Sequence, residues 1–293
     1  MSDSIIAHIR KPGLHTSIQD DGRWGVQDQG IPVSGAMDKQ AMQMANDLVG
    51  NPPSQPVLEM TMIGPTILFE NACQIAITGA KMSPSINGNS VDSYCTIDIE
   101  AGDLLEFDHA SEGCRTYLSI GGKWNTPKWL GSFSAVPNTL IHDQLPAQLQ
   151  SGHTLEIESQ GRSTLKITPD SKKPVFSSVY VVRVLTGPEF GLFNMQVIEA
   201  FFETIFTIDL DANRMGYRLM ENLVDYKPVR EELSSGVVNG TIQVTNAGKP
   251  IILMADAQTT GGYPRIANVL TEDLDVLAQM KPGDQLKFML VSF

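Results

Sequence analysis

Cysteine is scarce in this sequence, and long apolar runs are missing. Only three cysteines occur in 293 residues, Cys73, Cys95 and Cys114, and none forms a CxxC pair. A disulfide framework is therefore disfavoured, and buried thiols of a reduced compartment are expected. The purest apolar stretch, 251–255, is far short of the roughly 20 residues that span a bilayer. The opening residues carry no basic segment ahead of an apolar run, so no signal peptide is expected and the cytoplasm is the expected location.

Clustered positive charge is also lacking. Lys and Arg number 21 against 33 Asp and Glu, a formal net charge of -12. Such a surface repels phosphate backbones and anionic headgroups, which argues against nucleic-acid and membrane roles. His8, His15, His109, His142 and His153 form no HxxxH or HExxH pair, and Asp209 and Asp211 lack the remainder of a calcium loop. No metal site is read from the sequence. Gly121-Gly122-Lys123 lacks the rest of a phosphate-binding loop, and no GxSxG elbow occurs. No self-contained catalytic machine is visible.

What is present is β structure. Short β-branched or alternating runs occur at 5–9, 66–69, 74–78, 95–99, 116–120, 154–158, 163–167, 179–185, 240–244, 250–254 and 285–291, punctuated by Gly, Pro, Asn and Asp. That spacing belongs to sandwiches or barrels. A Gly-Asp turn feeding a strand occurs at 101–107 and again at 282–288, with a looser third copy at 151–157. It is weak support for two related β domains. Three helices are expected: one capped by Asp38 and stopped by Gly50, one over 194–202, and one following Thr271. The length favours two domains. The polar, two-proline stretch 169–174 is the best linker, giving domains 1–170 and 175–293, although the first thirty residues could pack with either.

Two segments are polar and glycine-rich beyond what packing needs. The first runs over 12–23 and 30–38; few of its residues suit a core, and Arg23, Ser34 and Asp38 offer varied hydrogen bonds. The plainer reading is a surface loop with a helix cap at Asp38. The second, 255–265, follows directly on a strand. Asp256, Gln258, Thr259, Gly261, Gly262 and Tyr263 there can present side chains and backbone N–H groups to one small ligand. The plainer reading is a Gly-Gly hairpin. Asn213 and Arg214 lie between; Arg214 suits a bidentate clamp on a carboxylate or phosphate, or else a surface ion pair.

The strings PGLHTSIQDDGRWG, GIPVSGAMDKQAMQMANDLVGN, LEMTMIGP, AITGA, NRMGYRL, GTIQV and ILMADAQTTGGYPRIANV resemble the allophanate hydrolase subunit 2 family. Its best-known bacterial members are the C subunits of 5-oxoprolinases, and relatives form part of the carboxyltransferase domain of urea carboxylase. The resemblance runs along nearly the whole chain. It implies a mostly β fold with a few helices, arranged as two cyclophilin-like β-barrel domains. It implies ATP-dependent opening of 5-oxo-L-proline to L-glutamate with partner subunits A and B, the ATP site being shared with or carried by a partner. The rival within enzymes is carboxyl transfer from biotin to urea or a similar amide; a regulatory binding protein is the rival of another class. With a lactam or urea-like substrate, Asp256 and Arg214 are the expected catalytic pair. Arg23, Ser34, Asp38, Asn213, Gln258, Thr259, Gly261, Gly262 and Tyr263 are then expected around the same polar pocket.

Overall fold

The computed structural model describes residues 4–136, 146–227 and 233–291. The opening residues 1–3 and His142 lie outside them. The described chain is mostly β, with three α-helices. It forms two compact units: residues up to Arg23 with Ser34–Phe176, and Trp24–Val33 with the residues from Ser177 on. The stretch 169–174 expected as a linker ends two residues before Phe176, where the first unit closes.

The strands of the first unit are β1 (Ser4–Lys11), β2 (His15–Gln19), β3 (Val57–Thr61), β4 (Thr66–Phe69), β5 (Cys73–Lys81), β6 (Ser85–Ile86), β7 (Asn89–Ser90), β8 (Thr96–Ile99), β9 (Leu104–Glu106), β10 (Glu112–Ile120), β11 (Lys123–Trp124) and β12 (Thr154–Glu158). They make a seven-stranded sheet in the order β11-β12-β1-β4-β9-β6-β7 and a five-stranded sheet in the order β2-β3-β10-β5-β8. The alternation seen in the sequence has its usual cause. Ile5, Ala7 and Ile9 of β1 face inward and meet Leu58, Met60, Ile75, Ile77, Leu118 and Ile120 from the second sheet in one apolar core. Helix α1 (Lys39–Leu48) covers the other face of the five-stranded sheet. There Ala41, Met42 and Ala45 cluster with Val57 and Tyr117. Asp38 caps the helix as expected, its Oδ1 accepting the Ala41 N–H at 2.8 Å.

Two expectations need correction here. Segment 12–23 is not a loop throughout: His15–Gln19 is an edge strand, paired with β3 from His15↔Thr61 to Gln19↔Val57. Thr16 shares the core face with Ile18 and donates its hydroxyl to the Pro12 carbonyl at 2.6 Å, while Ser17 and Gln19 lie on the opposite face, where the Gln19 amide donates to the Ser17 hydroxyl at 3.0 Å. Conversely, 163–167 is not a strand. Only Ile167 bridges to Cys95, while the Ser163 N–H is satisfied by the Gln74 side chain at 2.7 Å and the Lys166 N–H by the Thr96 hydroxyl at 3.0 Å. Side-chain acceptors thus replace the ladder that alternation suggested.

The second unit contains β13 (Val179–Thr186), β14 (Phe206–Thr207), β15 (Gly216–Arg218), β16 (Ser235–Gly236), β17 (Thr241–Val244), β18 (Pro250–Leu253), β19 (Thr260–Gly261), β20 (Arg265–Val269) and β21 (Gln285–Leu290). Seven of them form one sheet, β14-β21-β13-β20-β17-β18-β15, and β16 pairs with β19 separately. β13 and β21 run parallel, from Val179↔Gln285 to Val184↔Leu290. Helix α2 (Met195–Glu203) packs Phe201 on Phe288 of β21, with ring centroids 4.6 Å apart. Helix α3 (Thr271–Ala278) places Asp273 against Arg183 of β13, with Nη2 and Oδ1 2.6 Å apart.

The three Gly-Asp-type turns share one backbone device. In 100–103, 150–153 and 281–284 the glycine has φ of 92°, 90° and 90°. The last residue of each turn, Asp103, His153 or Asp284, donates its N–H to the first residue's carbonyl. Its side chain, a carboxylate or the His153 Nδ1, accepts the first residue's N–H. The glycine N–H and the last residue's carbonyl then pair with Phe69, Ile9 or Ile208 of a neighbouring segment. The left-handed glycine is what lets a four-residue turn satisfy all of these groups. A Cβ at Gly283 would meet nothing within 4 Å, so only its φ opposes substitution. Gly283→Ala is therefore expected to lower the unfolding free energy by about 1 kcal/mol, measured by denaturant unfolding; unchanged stability would show the turn tolerates a side chain.

Candidate functional site

In the first unit, Asp20 follows β2 at the centre of a buried hydroxyl cluster. It accepts hydrogen bonds from Ser132 Oγ at 2.6 Å, Ser134 Oγ at 2.5 Å, the Phe133 N–H at 2.7 Å and the Gly22 N–H at 2.9 Å. Arg23 is fully buried beside it. Its Nε donates to the Trp129 carbonyl at 3.0 Å and its Nη2 to the Ser134 carbonyl at 2.8 Å, and the guanidinium lies 4.6 Å from the Trp129 ring centroid. Ser34 adopts φ 56°, unusual for a residue with a side chain, and its enclosed hydroxyl has no hydrogen-bond partner. The Gln19 Oε1 is enclosed and partnerless in the same way.

Beneath Asp38 runs a buried polar chain that joins two strands, β3 and β10, to a helix cap. The Asp38 N–H donates to the Tyr117 hydroxyl at 2.8 Å, and that hydroxyl donates to Glu59 Oε2 at 2.9 Å. Glu59 also accepts the Met37 N–H at 2.8 Å and pairs with Arg115 at 3.6 Å. Burial, reinforced by the nearby Glu59 and Asp38 carboxylates, pushes the Tyr117 phenol well above its ordinary pKa, so it stays a neutral donor.

In the second unit, Arg214 and Asp256 form a buried bidentate pair. Nε and Oδ2 are 2.8 Å apart, Nη2 and Oδ1 3.0 Å, and both residues are 8% exposed. A backbone bond reinforces it, Asp256 N–H to Arg214 carbonyl at 2.9 Å. Asp256 opens the loop that the sequence marks out. Beyond it Gln258 and Gly262 are exposed, Thr259 and Gly261 half-buried, and Tyr263 43% exposed. The loop is not a Gly-Gly hairpin: Thr260–Gly261 pairs with Ser235–Gly236. Its far end is held by Arg265, whose guanidinium grips Glu189 with two nitrogens and the Gly236 carbonyl at 2.8 Å with the third.

Of the residues expected to share one site, Arg23, Ser34 and Asp38 belong to the first unit and the rest to the second. Within the second unit Arg214 and Asp256 meet directly. Asn213 turns to its own backbone: its Oδ1 accepts the Met215 N–H at 2.8 Å and its amide donates to the Asp211 carbonyl at 3.1 Å. Sequence reasoning did not single out Glu59, Arg115, Tyr117, Ser132, Ser134 or Glu189. A charged residue inside an apolar strand, as in the string LEMTM, is the signal that could have found Glu59. Among the described residues no group of three His, Cys, Asp or Glu is arranged to hold a metal ion.

Comparison with known proteins bears on the whole chain. The family model for the carboxyltransferase domain, subdomain A and B, matches residues 29–290. The 5-oxoprolinase C subunit of Escherichia coli (strain K12) is 35% identical over 284 residues, which cover 97% of this chain and 91% of that protein. The urea amidolyase of Saccharomyces cerevisiae is 30% identical across 97% of this chain, a match that spans only 16% of that protein. Among solved structures, the K. lactis urea amidolyase is similar with a TM-score of 0.90 and 29% identity, over 98% of this chain and 19% of that one.

The clamp at the end of the 256–265 loop carries a pH signature. Hydrogen bonding from the Arg265 side chain holds the Glu189 carboxyl below its ordinary pKa of 4.5. A carboxyl whose pKa is depressed by folding stabilises the fold above the unfolded value, and that contribution is lost as pH falls through the lower folded value. Glu189→Gln is therefore expected to lower stability at neutral pH and to flatten its fall below about pH 4.5. Thermal melting from pH 7 to pH 3 checks this; parallel curves for both proteins would contradict it.

Proposed function

Because this chain belongs to the family of the carboxyltransferase domain, subdomain A and B, we propose that it is the C subunit of a bacterial 5-oxoprolinase. With subunits A and B it opens the lactam of 5-oxo-L-proline to L-glutamate as ATP is hydrolysed. The observation that carries this reading is the 35% identity to the E. coli 5-oxoprolinase C subunit along 97% of this chain and 91% of that protein. The proposed setting is the cytoplasm, where ATP is supplied; among the described residues no helix is long and apolar enough to cross a membrane.

A lactam carbonyl is a weak electrophile because the ring nitrogen donates into it. Transfer of the ATP γ-phosphoryl group to the carbonyl oxygen, with ADP leaving, removes that stabilisation. Water then adds to the ring carbon, the C–N bond breaks as its nitrogen takes a proton, and a second water hydrolyses the resulting acyl phosphate to L-glutamate and phosphate. The ATP site is proposed as shared with, or carried by, a partner subunit. The residues of this chain bind and orient. The loop after Asp256 offers the Thr259 hydroxyl, the Gln258 amide and the Gly262 N–H to a carbonyl that gains negative charge, with Tyr263 beside them, while the Gly261 N–H is taken up by the ladder with Ser235. Asp256 and Arg214 fix where that loop begins. Each occupies the other's polar atoms, and freeing one to meet substrate would leave a buried charge unpaired, at a cost of about 3–5 kcal/mol. Asn213 orders the turn that carries Arg214.

A second reading is carboxyl transfer from biotin to urea or a similar amide, favoured by the likeness to urea amidolyases over nearly the whole chain. Both substrates present an amide N–H and C=O, so one loop can serve either. The experiment is an ATP-dependent assay of purified subunits A, B and this chain with 5-oxoproline, each omitted in turn. Glutamate is expected only when all three are present. Full turnover without this chain, or from this chain alone, would contradict the proposal. Biotin-dependent carboxylation of urea in the absence of oxoproline turnover would favour the second reading, and inactivity in both assays a regulatory binding role.

A further inference from the structure

We infer that the side-chain carbonyl of Gln243 is the acceptor for the substrate's amide N–H, an assignment that rests on the amide-substrate reading above. Gln243 lies on β17, where the pairing with β20 shifts register between Ile242 and Gln243. That irregularity aims its side chain at the ligand loop. The residue is 2% exposed, and its Nε2 donates to the Tyr263 carbonyl at 3.2 Å. A nitrogen must face that carbonyl, so the orientation of the amide is fixed and the oxygen is left to face the other way. Oε1 meets no donor among the described residues and keeps some contact with solvent.

The position of Gly261 shows where this amide sits. A Cβ on Gly261 would come within 2.4 Å of Gln243 Nε2 and 3.2 Å of its Oε1. The glycine is thus bare on the side of the loop where the Gln243 amide comes up, and the amide takes the place of a side chain. The Gly261 N–H is taken up by the ladder with Ser235, so a ligand resting beside Gly262 meets two kinds of group together: the Gly262 N–H as a donor for its carbonyl, and one fixed acceptor for its N–H. Every other acceptor we assign to the loop is either exposed, as Gln258 is, or paired, as Asp256 is with Arg214. An enclosed acceptor discriminates more strongly than an exposed one, because a ligand lacking the N–H leaves it unmatched and dry.

The test compares 5-oxoproline with its lactone analogue, 5-oxotetrahydrofuran-2-carboxylate, in which a ring oxygen replaces the N–H. Lactone inhibition and lactam affinity are measured on the complex of this chain with subunits A and B. The wild-type complex is expected to prefer the lactam by about 10- to 100-fold. Gln243→Met, or Gln243→Leu if the first does not assemble, is expected to reduce that preference to about threefold or less, mainly by losing lactam affinity. Equal binding of both compounds by the wild type would overturn the assignment, as would equal weakening of both in the Met variant, the mark of a purely structural role. No 5-oxoproline turnover by the wild type would instead overturn the functional reading beneath it.

Discussion

The buried pair of Arg214 and Asp256 decides what the second unit can offer a ligand. Two charges taken out of water are tolerated only when they meet with good geometry. Here the meeting is bidentate, with contacts of 2.8 and 3.0 Å. Arg214 stands just before β15 and Asp256 just after β18, and these strands pair from Gly216↔Leu253 to Arg218↔Ile251. The pair therefore closes the end of a two-strand ladder at the sheet edge and fixes the direction in which the chain leaves it. Arg265 and Glu189 do the same where the loop re-enters the sheet. Between these two ion pairs the loop buries only Ala257 and Pro264, and its course is fixed by the pairing of Thr260–Gly261 with Ser235–Gly236 and by the Gln243 amide on the Tyr263 carbonyl.

The first unit uses the same principle with different chemistry. Among the described residues no cation pairs with the buried Asp20; four hydroxyl and N–H donors hold it instead. Arg23 is buried on backbone carbonyls and an aromatic face. Glu59 reaches across to the helix start through Tyr117, so the α1 cap, the sheet and the segment after Ser34 form one hydrogen-bonded body. Against that background the unused Ser34 hydroxyl and Gln19 oxygen stand out. Among the described residues both are enclosed without a hydrogen-bond partner, an uncommon state for buried polar atoms.

Strands with a core on one face were legible from alternation, and β4 and β12 fall on the expected residues. The helices followed from caps and stripes, since Asp38 and Asn194 both accept the backbone bonds that N-caps should. β2 was hidden because Thr16 on one face and Ser17 and Gln19 on the other are all polar, so apolar alternation is missing although the strand is buried. The stretch 163–167 misled for the opposite reason: it alternates, but its backbone is matched by Gln74 and Thr96, residues 89 and 70 positions away. The candidate loop was legible from its glycines and polar residues. Its supports were not. Glu189 and Arg265 are 76 residues apart in sequence, and Gln243 looks in isolation like an ordinary strand residue.

The central claim is that the loop between Asp256 and Arg265 presents fixed polar groups to a cyclic amide. The most direct measurement is a crystal structure of this chain assembled with its A and B partners and soaked with 5-oxoproline. The account predicts the lactam carbonyl within hydrogen-bond distance of the Thr259 hydroxyl or the Gly262 N–H, with Arg214 and Asp256 still paired. A lactam bound away from that loop, or one that has drawn the Arg214 guanidinium off Asp256, would contradict it.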